Sequence, residues 1–277
     1  MTFPRSSQLG PVMVASGCGG TGVELAAYTD LTGLDFVTRS ITLDPRPGGP
    51  APRVAETPSG LVNAIGLQNP GLEHFLATEL PWLVRAGARV FVSIAGATMG
   101  EYAELARRLS RAPGVAGIEI NLGAPDQVGI NLFEVREPYH AASVVAAVRR
   151  EFPADLPVLA KLRPDLSRVV EGARGVVDAG ASAVVLGNAV PAAMPDGRPG
   201  GLSGPAIGPI SLRCLAEVAG VLDDVVLIGA GGISSVEDAR HFLELGASAV
   251  QIGTALLHDP TTVTRVRAAL TRQEDTP

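Results

Sequence analysis

Residues Val225–Leu256 read VVLIGAGGISSVEDARHFLELGASAVQIGTAL, and the pattern of this stretch decides the architecture. A short β-branched run, Val225–Gly229, breaks into a glycine-rich turn. An amphipathic stretch with apolar residues three and four apart, Val236–Leu245, follows, and a second short run, Ala249–Ile252, ends in another glycine. Strand, turn, helix and strand in this order form the βαβ unit of a parallel sheet. The two strand ends carry IGAGGISS (Ile228–Ser235) and QIGTAL (Gln251–Leu256), with glycines where backbone N–H groups must approach an anion closely. Such glycines also serve plain tight turns, but their recurrence after two successive strands points to a phosphate site.

Working outward, the same alternation fills the chain. Six further runs precede the pair: Pro11–Ala15, Leu34–Arg39, Arg89–Ile94, Ala116–Asn121, Pro157–Leu162 and Ala183–Gly187. Amphipathic segments lie between them at Glu101–Arg111, Tyr139–Glu151, Arg168–Ala179 and Ser211–Leu222, and another, Thr261–Thr271, follows the last run. Eight strands close a barrel, so the expected fold class is α/β, a single (β/α)8 TIM barrel. A doubly wound sheet would absorb only five or six of these units. No linker or composition break divides the chain, and 1–277 reads as one domain. Two connections after strands are long, Ser40 to Gly71 and Asn121 to Pro138, and long βα loops lie at the active face of such a barrel.

Composition narrows the functional classes. Of 277 residues 46% are hydrophobic and 18% charged, which suits a globular chain. A net charge of −6 argues against nucleic acid as the main partner. The first residues, MTFPRSSQLG, lack the apolar core of a signal peptide, and no uncharged stretch runs long enough to span a bilayer, so the expected location is cytoplasmic. Cys18 and Cys214 are too few for an iron–sulfur cluster, and no metal site is expected.

Lys161 is the one lysine in the sequence, at the end of the fifth strand, where its ammonium reaches the barrel mouth. It suits stabilisation of negative charge on a reduced cofactor, Schiff-base formation in a lyase, or a plain salt bridge. Gly17-Cys18-Gly19-Gly20-Thr21-Gly22 superficially matches a dinucleotide motif, and Gly200-Gly201-Leu202-Ser203-Gly204-Pro205 adds another glycine loop. Asn63, Asn69, Asn121 and Asn188 form a set of amides suited to a cyclic amide substrate. His74, His140, His241 and His258 fall in or beside helical segments, without a nucleophile and base in pattern, and are expected mostly at the surface.

PRVAETPSGLVNAIGLQNPG (Pro52–Gly71), GGLSGPAI (Gly200–Ile207) and GAGGI (Gly229–Ile233) resemble class 1 dihydroorotate dehydrogenases, nearest to the class 1B branch. The similarity runs over nearly the whole chain. It implies an FMN-dependent oxidoreductase of pyrimidine metabolism acting on a CH–CH bond. Flavin contacts would fall on Ala15, Ser16, Gly17, Arg39, Ser40, Asn121, Lys161, Gly204, Gly231, Gly232, Gly253 and Thr254. Substrate contacts would fall on Asn63, Ile65, Gly66, Leu67, Asn121, Asp126 and Asn188. The resemblance further implies a homodimer and a partner subunit carrying iron–sulfur and FAD groups for electron transfer.

The sequence departs from that family at one cluster. Where its motif reads Asn, any residue, Ser, Cys, Pro, Asn, this chain has Asn121-Leu122-Gly123-Ala124-Pro125-Asp126. Ala124 cannot accept a proton, and loss of a general base costs on the order of 10²–10⁴ in rate. Arg39 stands where the family has a lysine, and Ala189 replaces a hydroxyl-bearing residue. The catalytic candidates are therefore Lys161, Arg39 and Asp126. The expected substrate is dihydroorotate or a related cyclic amide or activated alkene. The alternatives are a catalytically silent flavin-binding subunit and a Schiff-base lyase.

Overall fold

The computed structural model describes residues 9–123 and 137–274. Its strands are β1 (Val12–Val14), β2 (Asp35–Val37), β3 (Val54–Thr57), β4 (Gly60–Asn63), β5 (Arg89–Ile94), β6 (Val115–Asn121), β7 (Val158–Leu162), β8 (Ala183–Leu186), β9 (Val190–Ala193), β10 (Pro199–Ser203), β11 (Leu227–Ala230) and β12 (Ala249–Ile252). Eight of them close a parallel barrel in the order β1-β12-β11-β8-β7-β6-β5-β2. These are the eight runs read from the sequence, and the architecture is a single (β/α)8 TIM barrel. The helices are α1 (Val23–Ala26), α2 (Gly71–His74), α3 (Leu80–Arg85), α4 (Met99–Leu109), α5 (Pro138–Glu151), α6 (Val169–Asp178), α7 (Gly208–Ala219), α8 (Val236–Glu244), α9 (Ala255–His258) and α10 (Thr262–Glu274). A π-helical turn, Phe75–Glu79, joins α2 to α3.

Strand parity places the core. Along each barrel strand alternate side chains point to opposite faces. Val90, Val92, Ile118, Ile120, Val158, Ala160, Val250 and Ile252 pack outward against the helices in the main apolar cluster. Their neighbours Met13, Val37, Phe91, Leu159, Val185, Ile228 and Ala249 fill the barrel interior as a separate cluster. The interior is therefore a packed floor. The next inward positions along the same strands are Ser93, Glu119, Lys161 and Gln251, all buried and all polar. Parity thus turns the top of the barrel from a core into a site.

The connection after the second barrel strand is more ordered than a long loop. Residues 54–63 form β3 and β4, which join β10 and β9 in a four-stranded antiparallel sheet of order β3-β4-β10-β9. Strands this short gain independent stability only by such assembly. Val62, Ala64 and Met194 make a small core beneath it.

Helix α8 shows how the barrel caps its own phosphate-type loop. Ser235 Oγ accepts from the Asp238 amide at 3.1 Å, while Asp238 Oδ2 accepts from the Ser234 and Ser235 amides, each at 2.9 Å. Burial works against the Asp238 charge, but the hydrogen bonds from Ser234 and Ser235 outweigh it and hold its pKa below the ordinary aspartate value. Asp238→Ala is expected to cost about 1 kcal/mol near neutral pH through loss of the cap. Because the folded-state pKa is depressed, this contribution is present above the unfolded value near 4 and disappears as pH falls through the lower folded value. Thermal unfolding of both proteins between pH 3 and 7 checks it, the two melting curves converging at the acid end.

Candidate active site

The inward polar residues meet at the C-terminal mouth of the barrel, in a cavity of about 550 Å³, within the usual range for small-molecule sites. Ala15, Ser16 and Gly17 follow β1, Arg39 and Ser40 follow β2, Asn121 ends β6, Lys161 lies in β7 and Asn188 follows β8. All of these line the cavity. The opposite wall is made by Gly204, Gly231, Gly232, Gly253 and Thr254, and the small sheet and its following turn contribute Asn63, Ile65, Gly66 and Leu67. Every flavin- or substrate-contact residue that the family resemblance implied, among the described residues, is in this one cavity. Asp126, with Ala124, lies outside the described residues.

Lys161 sits at the floor, 6% exposed. Its Nζ donates to Gln251 Oε1 at 2.7 Å and lies 3.5 Å from Glu119 Oε1. Gln251 Nε2 in turn donates to Glu119 Oε2 at 2.6 Å. A buried charge is tolerated when it is paired and hydrogen-bonded, and here amide, carboxylate and ammonium form a closed triangle. Above them runs a second polar chain. Asn188 Nδ2 donates to Asn121 Oδ1 at 3.1 Å, Asn121 Nδ2 donates to Ser40 Oγ at 3.0 Å, and Ser40 Oγ lies 2.9 Å from Ser93 Oγ. This chain fixes the amide orientations of Asn121 and Asn188, since each oxygen is engaged by a donor: the Ala189 amide also donates to Asn188 Oδ1 at 2.9 Å.

Arg39 stands at the rim between acids. Its Nη2 is 3.6 Å from Glu79 Oε1. Burial raises the pKa of Glu79, with the Arg39 charge opposing the rise. Glu24 is drawn to the same cation; burial opposes its charge, but hydrogen bonds from Thr21 outweigh this and keep its pKa low. Cys18 lines the cavity as a thiol: burial pushes its pKa up to about 11, against the pull of the Lys161 ammonium.

The glycine walls have steric reasons. Gly231 and Gly232 have φ of +102° and +80°, and a Cβ on Gly232 would lie 2.4 Å from Gly208 Cα. Since Asp238 occupies the Ser234 and Ser235 amides, an anion at this loop has to be met by the backbone of 231–233 ahead of them and by the Gly253–Thr254 turn.

Asn69 is the one amide of the expected set that does not line the cavity. It is 3% exposed, its Oδ1 accepts from the Gly71 amide at 2.9 Å, and its Nδ2 donates to the Leu67 carbonyl at 2.9 Å. It therefore holds Leu67, whose φ of +53° is unusual for a leucine, against the cavity. His74, His241 and His258 are exposed, and His140 does not line the cavity. Sequence reasoning passed over Glu119, Gln251 and Ser93. One signal was available for Glu119: a carboxylate inside an otherwise apolar strand has to face a partner. Among the described residues no group of three or more His, Cys, Asp or Glu is placed to hold a metal, and no helix is long and apolar enough to cross a membrane.

A buried ammonium, ordered amides and glycine-walled loops gathered at the barrel mouth make the small-molecule site of a (β/α)8 enzyme. The chain belongs to the dihydroorotate dehydrogenase family: the family model described as dihydroorotate dehydrogenase matches residues 1–273. Similar curated proteins bear the name dihydroorotate dehydrogenase B (NAD(+)), catalytic subunit. That of Anoxybacillus flavithermus is 42% identical over 268 residues, covering 93% of this chain and 85% of its own. That of Pelobacter propionicus is 43% identical over 272 residues, covering 95% and 88%. That of Desulforudis audaxviator is 43% identical over 270 residues, covering 94% and 87%.

Proposed function

We propose that the protein is an FMN-dependent oxidoreductase that acts on the CH–CH bond of dihydroorotate or a closely related cyclic amide. The observation that carries this reading is the single ammonium, Lys161, at the floor of a cavity walled by glycine loops and ordered asparagines. The residues present fit the cofactor: Gly17 has φ of +82° and open space where a Cβ would stand, so a flat ring meets backbone there instead of a side chain. Gly231, Gly232, Gly253 and Thr254 would receive the phosphate. Ala15, Ser16, Gly17, Ser40, Asn121 and Gly204 would frame the ring, with Lys161 beside its electron-rich edge. Bound FMN supplies a two-electron hydride acceptor and donor.

The chain's own residues do the rest. Asn63, Asn121 and Asn188 would hold the amide edges of the substrate, because each presents a donor and an acceptor. Ile65, Gly66 and Leu67 would close over it and limit water. Arg39 would receive substrate negative charge, although Glu79 and Glu24 already claim part of its field. An ammonium paired with a carboxylate suits charge stabilisation better than Schiff-base formation, which needs a neutral amine. With Ala124 at the family's base position, the proton has to pass to water or to Asp126, which predicts slow oxidation of dihydroorotate and tolerance of the reverse reaction on an activated alkene. The relatives' names as catalytic subunits support a second subunit as electron partner. We also read the chain as one domain.

An anaerobic absorbance titration tests this. A yellow protein whose flavin band bleaches on addition of dihydroorotate, on the order of 10²-fold or more slower than with an intact base, is the expected result. A colourless protein that takes up no FMN overturns the cofactor, and a flavoprotein that bleaches with dithionite but with no cyclic amide favours a silent subunit.

A further inference from the structure

The triangle beneath the site has a consequence for the charge that the site presents. Glu119 is fully buried on β6, two residues before Asn121, and does not line the cavity. Gln251, on β12 across the barrel, does. An ammonium has three donors. In Lys161 one is engaged by Gln251 Oε1, and the cation as a whole is faced by Glu119 Oε1 at 3.5 Å. That separation is too long for a strong hydrogen bond and short enough for a strong field in a low-dielectric floor. Gln251 spans the two groups, accepting from the cation and donating to the anion, so it fixes both at once.

We infer that Glu119 and Gln251 are positioning residues that clamp Lys161 and offset its charge, and so lower the affinity of a bound flavin for electrons. This inference rests on the FMN reading. With Glu119 ionised, the floor carries a dipole with its positive end toward the cavity instead of a net cation. Negative charge developing on the cofactor is then stabilised by the nearer ammonium and destabilised by the carboxylate behind it. The two charged partners must therefore act with opposite sign on the same equilibrium. A residue needed only for packing has no reason to do so.

The experiment uses the flavin-loaded protein and two readouts. Anaerobic potentiometric titration is expected to show that Glu119→Gln raises the flavin midpoint by about ten-fold in the reduction equilibrium, about 30 mV for a two-electron couple. Lys161→Met is expected to lower it by a similar factor. If Lys161→Met fails to fold because Glu119 is left unpaired, the Glu119→Gln/Lys161→Met double variant replaces it, with a midpoint expected below that of Glu119→Gln alone. Midpoints for Glu119→Gln and wild type that agree within two-fold, in folded and flavin-loaded proteins, overturn the proposal, as do shifts of the same sign in both single variants.

The second readout needs no flavin. Because Lys161 is the one lysine, growth on ¹⁵N-lysine gives a single side-chain resonance. Its Nζ–H signal is expected in wild type, protected from exchange by the clamp, and lost in Gln251→Leu. Should wild type take up no FMN, the cofactor reading fails alone and this signal judges the clamp: persistence in Gln251→Leu overturns it, and loss supports it.

Discussion

Replacing Lys161 with methionine is expected to slow reduction of the bound cofactor by substrate by on the order of 10²–10³-fold, the usual cost of removing one preorganised group that stabilises developing charge. The same change leaves the Glu119 carboxylate buried with only Gln251 as a partner, and breaking a buried pair from one side costs about 3–5 kcal/mol. The two effects separate in the double variant Glu119→Gln/Lys161→Met. Its stability is expected to return close to wild type, since no charge is left uncompensated, while its rate stays low. Single-turnover absorbance at the flavin band, alongside thermal unfolding of all three proteins, checks this. A double variant that reduces at the wild-type rate would assign Lys161 a purely structural role.

The second large effect lies in the backbone. Gly187 follows β8 with φ of +133°, and a Cβ there would stand 1.8 Å from the Ala230 carbonyl oxygen and 2.6 Å from its carbon on the adjacent β11. Neither atom can move without opening the barrel seam that lines the cavity. Gly187→Ala is therefore expected to destabilise by about 3–5 kcal/mol, from steric overlap together with strained φ. At roughly 2–4 °C per kcal/mol for a chain of this size, the melting temperature falls by roughly 10 °C. Gly197→Ala is the control. It shares a positive φ of +84° but has nothing within 4 Å of the added carbon, so only the backbone preference of about 1–2 kcal/mol remains. Equal losses in the two variants would show that crowding at Ala230 contributes nothing.

Much of the molecule was legible without coordinates because its signals are local. Each barrel strand is a short apolar run bounded by turn residues, and its two-residue period assigns every side chain to core or mouth. The glycine turns after β11 and β12 announce an anion loop for the same reason: close approach of backbone requires the absence of a Cβ. Lys161 stood out simply by being alone. The resemblance carried by Pro52–Gly71 and Gly200–Ile207, more than any local period, is what pointed to Ala15, Ser40, Asn121, Gly204 and Thr254, and all five line the cavity.

Other features depended on distance in sequence. Residues 54–63 form two strands only because residues 190–203 arrive beside them, more than a hundred positions later, to complete the sheet. Asn69 matches the cavity amides in type and looks like one of them, yet its hydrogen bonds to Gly71 and Leu67 make it a support for the turn.

The sequence by itself determined a closed eight-stranded barrel, the end of it that binds, and the backbone loops and cation that make up that end, since all of these follow from periodicity and residue type over short windows. Only the tertiary structure decided what stands behind the cation. Glu119 and Gln251 are 132 positions apart, and they meet because barrel closure sets β12 across the interior from β6, where both inward side chains reach Lys161 on β7. A buried carboxylate can announce in the sequence that it needs a partner, but the identity of that partner is set by which inward positions share a layer across the barrel.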